Sequence, residues 1–266
     1  RYILGSIHDF DPAANMVAVA DLPEIDRWAL HQLEMLKERV LNAYQEMAFH
    51  VIYQDVNAFC TVEMSAFYLD ILKDRVYTSK ADSLERRSAQ TVMYRILDAL
   101  VRMLAPVLSF TADEVWKYMP GRAESSVHLA LFPELEPEWK NDELVRSWER
   151  IIKVRADVSK ALELARTAKV IGHSLDAAVT IAAPAELLDF LRCYESELQS
   201  IFIVSKVILA AQIDGDSWNS ETVDGLQVQV AAAPGVKCER CWCYSEELGS
   251  NPEHPGICPK CTKAVI

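Results

Sequence analysis

The chain has 266 residues, 51% of them hydrophobic and 25% charged, an ordinary globular composition that excludes a mainly disordered polymer. Its 27 basic and 39 acidic residues leave a net charge of −12, which argues against coating nucleic acid through bulk positive charge but permits a local basic patch. No apolar run approaches the ~18 residues a bilayer crossing needs, and no basic-then-apolar leader is visible, so a cytoplasmic protein without membrane contact is expected.

Residues 1–20 show no helical period and read as a connecting segment. Asp21-Leu-Pro-Glu24 has the form of a capping box and predicts a helix start. Trp28, Leu33, Leu36, Val40, Tyr44 and Met47 then line one apolar face. Residues 55–77 repeat the pattern with Val56, Phe59, Val62, Met64, Phe67, Leu69, Ile71 and Leu72, and residues 83–105 do so with Val92, Ile96, Leu100, Val101 and Leu104. Thr111-Ala-Asp-Glu114 looks like a second capping box opening a short helix with Val115 and Trp116. Short connections between these helices predict an antiparallel bundle.

Pro120-Gly121, Pro133 and Pro137 mark residues 119–141 as a linker. Residues 142–168 predict one long helix. Beyond Gly172 the period changes: Ala177–Ala182, Ile201–Leu209 and Leu226–Val230 are short and β-branched and predict strands, with a helix over Glu186–Gln199. The expected fold is mainly α: a helical bundle (1–140), a long helix with a small α+β junction unit (141–232), and a C-terminal four-cysteine zinc ribbon (233–266).

The ribbon is the clearest chemical signal. Five of the seven cysteines fall in the last 29 residues, and Cys238-x2-Cys241 is followed after 16 residues by Cys258-x2-Cys261. Two residues between thiolates let a turn aim both sulfurs at one ion, and two such turns close a tetrahedron. The segment is rich in Gly and Pro and has almost no core, so one structural Zn2+ supplies the stability it lacks. Iron in the same ligands is the alternative, and Cys243 and His254 are candidate substitutes for a ligand. Cys60 and Cys193 read as core or near-core thiols.

Two further features suggest RNA contact. Lys73, Arg75, Lys80, Arg86, Arg87, Arg95 and Arg102 place seven positive charges between residues 71 and 102 against four negative ones. A solvated helix face explains such a run as readily as RNA does. Lys237, Arg240, Trp242 and Tyr244 set cations and rings among the cysteines, as unpaired bases and phosphates require, or as packing of the ribbon on a neighbour requires. No GxxxxGK[ST], GxGxxG, GxSxG or HExxH is present, and no catalytic residue is assigned.

These residues resemble the C-terminal part of bacterial isoleucyl-tRNA synthetases, class I enzymes. The resemblance rests on RYILGSIHDFDP (1–12), LPEIDRWAL (22–30), FHVIYQDVNAFCTVEMSAFYLDILKDRVYT (49–78), RRSAQTVMYRIL (86–97), LAPVLSFTADEVW (104–116), SVHLALFP (126–133), IGHSLDAAVTI (171–181), IFIVSKVIL (201–209) and GVKCERCWCY (235–244) with CPKC (258–261). It covers essentially the whole chain. The family's HIGH and KMSKS signatures and its editing domain are absent, so the chain reads as a fragment, consistent with Arg rather than Met at position 1. The resemblance implies that the whole enzyme attaches isoleucine to its tRNA with ATP, which binds only the missing catalytic domain. This portion would be a non-catalytic monomer that holds the anticodon stem-loop, partnered by tRNA and by its own catalytic domain and not by DNA. Arg86, Arg87, Lys237, Arg240 and Trp242 are its candidate RNA contacts, and Cys238, Cys241, Cys258 and Cys261 its zinc ligands. A helical protein-interaction module without RNA binding is the rival reading.

Overall fold

The computed structural model describes residues 1–266, which divide into two compact units, 1–145 and 146–266. In the first, the segment expected to be only a connection contains two short helices, α1 (Tyr2–Ser6) and α2 (Pro12–Asn15). Asp11 caps α2 through Ala13 N–H, with Pro12 in the first turn where a missing N–H costs nothing. Helix α3 (Glu24–Gln45) starts after Pro23 with no side-chain cap, and Asp21 ends a separate 3-10 turn. The acidic first turn of α3, Glu24 and Asp26, meets the positive helix end instead. Its buried stripe includes Trp28, Leu33, Leu36 and Val40, as the period predicts, whereas Met47 is exposed.

Helix α4 (Phe49–Ala58) and helix α5 (Leu69–Thr78) are joined by ten π-helical residues, Phe59–Tyr68. In an unbroken α-helix Val56 and Leu72 would lie about 160° apart around the axis. Bonds closing i→i+5 turn the chain less per residue and bring the two apolar stripes toward one face. The buried positions therefore run Phe59, Met64, Phe67 and Tyr68, and Val62, which the α period places in the stripe, is exposed. Trp28 meets Phe67 edge-on at 5.0 Å.

A buried polar cluster fixes this segment to α3. Asp26 accepts a 2.7 Å bond from the Tyr68 hydroxyl and bonds of 3.2 and 2.6 Å from the Arg75 guanidinium. Arg75 also donates to the Glu85 carbonyl. Burial, with the Asp26 carboxylate beside it, pushes the Tyr68 hydroxyl well above its ordinary pKa.

Helix α6 (Leu84–Leu104) is the spine of the unit, capped by Ser83 through Arg86 N–H. Helix α7 (Ser109–Lys117) begins two residues before Thr111, so the expected capping box lies inside the helix. Residues 134–141 are strapped to α3 and α6. Lys37, 2% exposed, pairs with Glu34 at 2.6 Å and Glu136 at 2.7 Å and donates to the Glu134 carbonyl. The Lys37 and Arg95 cations both lie over the Trp139 ring, 4.7 and 4.9 Å from its centre. His31 Nδ1 accepts from Asn141 N–H at 2.9 Å.

The second unit contains most of α8 (Asp142–Thr167), whose stripe of Trp148, Ile151, Val154, Val158 and Leu162 is buried. Its sheet has the order β2-β1-β4-β3: β1 (Ala177–Ala182), β2 (Lys206–Ala210), β3 (Trp218–Asn219) and β4 (Gln227–Ala232). Strand β1 is central, parallel to β2 (Val179 opposite Val207) and antiparallel to β4 (Val179 opposite Val230). Two helices, α9 (Ala185–Arg192) and α10 (Glu195–Phe202), replace the single expected one. The strand expected from Ile201 begins at Lys206, because Ile201 and Phe202 close α10 and Ile203 adopts φ 56 to end it. Cys193 lies in the turn between α9 and α10 and is exposed rather than near-core; Cys60 is half-buried.

The ribbon pairs β5 (Val236–Lys237) with β6 (Tyr244–Ser245) and ends in α11 (Pro259–Val265). Gly235 allows that pairing: at φ 91, a Cβ there would sit 2.3 Å from the Ser245 carbonyl oxygen. The ribbon is tied to the sheet by Tyr244 N–H donating to Ser205 Oγ at 2.7 Å and by the Lys206–Glu246 pair at 2.9 Å.

Candidate metal centre and nucleic-acid interface

The four spaced cysteines converge. The sulfurs of Cys238, Cys241, Cys258 and Cys261 all lie within 4.8 Å of one another. Cys238 follows β5, Cys241 sits in the turn before β6, Cys258 immediately precedes α11 and Cys261 lies in its first turn. Backbone bonds hold the two turns: Trp242 N–H to the Cys238 carbonyl at 2.9 Å, Cys238 N–H to the Cys243 carbonyl at 2.9 Å, and Glu239 N–H to the Gly256 carbonyl at 3.1 Å. Cys258 N–H points at Cys238 Sγ, 3.3 Å away.

This donor set fits one zinc ion. With Zn–S near 2.3 Å, the edge of a tetrahedron of sulfurs is about 3.8 Å. The Cys241–Cys258 sulfur separation is 3.7 Å. Burial resists ionisation at Cys238, but the Cys241, Cys258 and Arg240 N–H groups outweigh it and bring the thiol to about 6. Cys241 is pushed up by its hydrogen bond with Cys243 and by burial, and Cys258 and Cys261 are pushed up mainly by burial. Three of the four thiols therefore need a cation's charge to ionise together. Cys243 touches Cys241 but stands, with His254, outside the four-sulfur group.

The basic run behaves differently from a free patch. Arg86 pairs with Asp9 at 3.0 Å, and Arg87 donates to the Asp9 carbonyl at 3.0 Å and to Gln90 at 2.7 Å; the two side chains are 15 and 17% exposed. Arg75 holds Asp26, Arg95 reaches Glu136 and Trp139, Arg102 pairs with Asp98 at 2.6 Å, and Lys73 pairs with Asp70 at 2.8 Å. Lys80 alone of the seven has no such partner. The arginines pin the N-terminal segment, α3 and the strap to α5 and α6, so the local charge excess is mostly neutralised inside the unit.

In the ribbon, Lys237 leans on Asp176 at 3.4 Å and lies 5.9 Å from the Tyr244 ring centre. Arg240 hydrogen-bonds Cys261 and lowers that thiol against its burial. Trp242 is the candidate most open to solvent: it is 61% exposed at φ 66, a backbone region bulky residues avoid. Sequence reasoning missed Asp9, Asp26 and Glu136, the acids that hold the arginines. No spacing signal marks them, because they lie 41 to 78 residues from their partners.

Residues 26–181, well over half the chain, match the family described as the anticodon-binding domain of tRNA ligase, and residues 235–264 match the zinc finger found in FPG and IleRS. The chain belongs to the anticodon-binding domain family of tRNA ligases, with one structural zinc module. Its curated relatives include isoleucine–tRNA ligases. It is 63% identical over 265 residues to an isoleucine–tRNA ligase of Geobacter sulfurreducens, and 52% and 48% identical to those of Syntrophotalea carbinolica and Desulforudis audaxviator. Each match covers all of this chain and 29% of the relative's length. No helix is long and apolar enough to cross a membrane.

Proposed function

We propose that this chain is the tRNA-binding C-terminal portion of an isoleucyl-tRNA synthetase. It holds the anticodon stem-loop while a catalytic domain elsewhere in the full protein attaches isoleucine with ATP, acting as a monomer in the cytoplasm. The observation that carries this reading is the pairing, in one chain, of the anticodon-binding match over 26–181 with the zinc-finger match over 235–264, both within isoleucine–tRNA ligase relatives. Residues 1–140 supply the helical body, 141–232 the junction and 233–266 the ribbon.

Within this reading Cys238, Cys241, Cys258 and Cys261 ligate one Zn2+. With four protein ligands the ion has no open position, so it shapes the ribbon and does no chemistry. The ribbon in turn presents Trp242, whose exposed ring suits a splayed base of a loop. Lys237 and Arg240, five and two residues before it in the chain, are the cations offered to the phosphates. Arg86 and Arg87 contribute by holding Asp9, and their reach toward phosphate competes with that bond.

The test is binding of the zinc-loaded chain to isoleucine tRNA and to the same tRNA with an exchanged anticodon. The expected result is salt-dependent binding that weakens on exchange. Equal affinity for both would remove anticodon reading. A partner protein retained after nuclease treatment, with no RNA bound, would favour the interaction-module alternative.

A further inference from the structure

The second unit carries a groove that the ribbon and the helices do not account for. Its volume is about 540 Å³, and it opens where the end of α8 meets the start of β1, the end of β4 and the ribbon residue Tyr244. Its lining includes the cations Arg166 and Lys169, the acid Asp176, and the apolar side chains of Val170 and Ile171. That volume falls within the ~300–1,000 Å³ range of small-ligand sites, which combine apolar walls with a few placed polar groups.

The cations are available. Arg166 has only the exposed Glu163 beside it, a pair of little strength in water. The Lys169 side chain has no ion-pair partner and is exposed. Lys169 also takes the position just beyond the helix, at φ 59, where glycine is usual. The Lys169 N–H to Arg166 carbonyl bond (3.0 Å) and the Val170 N–H to Ala165 carbonyl bond (2.9 Å) close the turn and keep both cations at the groove. Asp176 is already engaged by His173 N–H at 2.7 Å and by Lys237. Asp176 thus keeps its own partners, and the cations left to meet a phosphate are Arg166 and Lys169.

The geometry points to a nucleotide subsite: one phosphate between Arg166 and Lys169, and one planar base against the Tyr244 ring and the Val170–Ile171 wall. Tyr244 lies two residues beyond Trp242, so the backbones of the groove residue and of the exposed tryptophan are within about 7 Å of each other. The nucleotide is therefore assigned to an RNA chain that also reaches Trp242, and this assignment rests on the RNA-binding reading above.

The experiment uses the zinc-loaded 266-residue chain, a stem-loop RNA with the isoleucine anticodon loop carrying single 4-thiouridine substitutions, and AMP as the free-nucleotide probe. Two variants are compared: Tyr244→Leu, which keeps the strand and its backbone bond to Ser205, and Arg166→Gln with Lys169→Asn, Asn being tolerant of positive φ. Unchanged zinc content and circular dichroism establish that both fold. Expected are about tenfold or weaker stem-loop binding for Tyr244→Leu, a log K against log salt slope flatter by about 0.7 for the cation variant, and one loop position crosslinking to Tyr244. If both variants lose AMP but bind the stem-loop as before, the site takes free nucleotide and the RNA assignment is overturned. If neither variant changes either ligand while the unaltered chain still binds the stem-loop, the subsite is overturned and the RNA-binding reading stands. If the unaltered chain does not bind the stem-loop at all, the RNA-binding reading itself fails.

Discussion

Replacing Asp26 by Asn tests how the first unit is held together. The carboxylate is fully buried and takes three hydrogen bonds, two of them from an Arg75 side chain only 15% exposed. Asn keeps the shape and one acceptor but removes the charge, leaving a guanidinium buried without a counter-ion. Breaking one side of a buried pair costs about 3–5 kcal/mol. Against a typical total of about 5–15 kcal/mol this is a large loss. At about 2–4 °C per kcal/mol, the melting temperature of the unit falls by roughly 10 °C. Tyr68→Phe removes a single hydrogen bond and costs about 1 kcal/mol. Asp26→Asn combined with Arg75→Met recovers most of the loss, because no charge then remains buried. Urea unfolding followed by hydrogen exchange at α3 amides measures all three. A loss below about 1 kcal/mol for Asp26→Asn, or no recovery in the double variant, would refute this account of the cluster.

Chelation, or Cys258→Ser, should remove one equivalent of zinc and loosen 235–266 while leaving the helical signal of the bundle nearly intact; collapse of that signal would show the ribbon supports the bundle. Burial holds the His31 imidazole below its ordinary pKa, and its Nδ1 accepts the Asn141 amide proton. The neutral form is thus favoured in the fold, so its contribution is present above about pH 6.5 and is lost as acid charges the ring. Faster exchange of the Asn141 amide below that pH, absent in His31→Gln, checks it. Gly235→Ala should destabilise the ribbon by about 1–3 kcal/mol through strain at φ 91 and the clash with Ser245, read as weaker zinc retention; unchanged retention would show that β5 and β6 shift at little cost.

The parts of the fold readable in the sequence are those where local preference and burial agree. Strand β1 is central, so its continuous run AAVTIA carries its own boundaries. Ser83 marks the start of α6, and the cysteine spacing alone assembles the metal centre. The failures have separate causes. Ile201 and Phe202 are strand-favouring residues held in the last turn of α10 by packing, since both are buried. Helix α2 did carry a signal, the capping Asp11 followed by Pro12, and α11 carried Pro259 in its first turn, but each is too short to show a period. The arginines of α6 look like an RNA surface in one dimension because their acids are remote in the chain. The groove beside Tyr244 draws on four separated segments and leaves no local pattern at all.

The ten π-helical residues also constrain how the chain can change length. Deleting one residue between Phe59 and Tyr68 would rotate everything downstream about the helix axis by somewhat less than the roughly 100° of one α-helical residue. Arg75 would then swing away from Asp26, and the Ile71–Leu72 face would turn toward water. Insertions and deletions should accordingly be excluded from this stretch, although its middle residues are among the more solvent-accessible of the helix, and tolerance to substitution there should exceed tolerance to any shift in register.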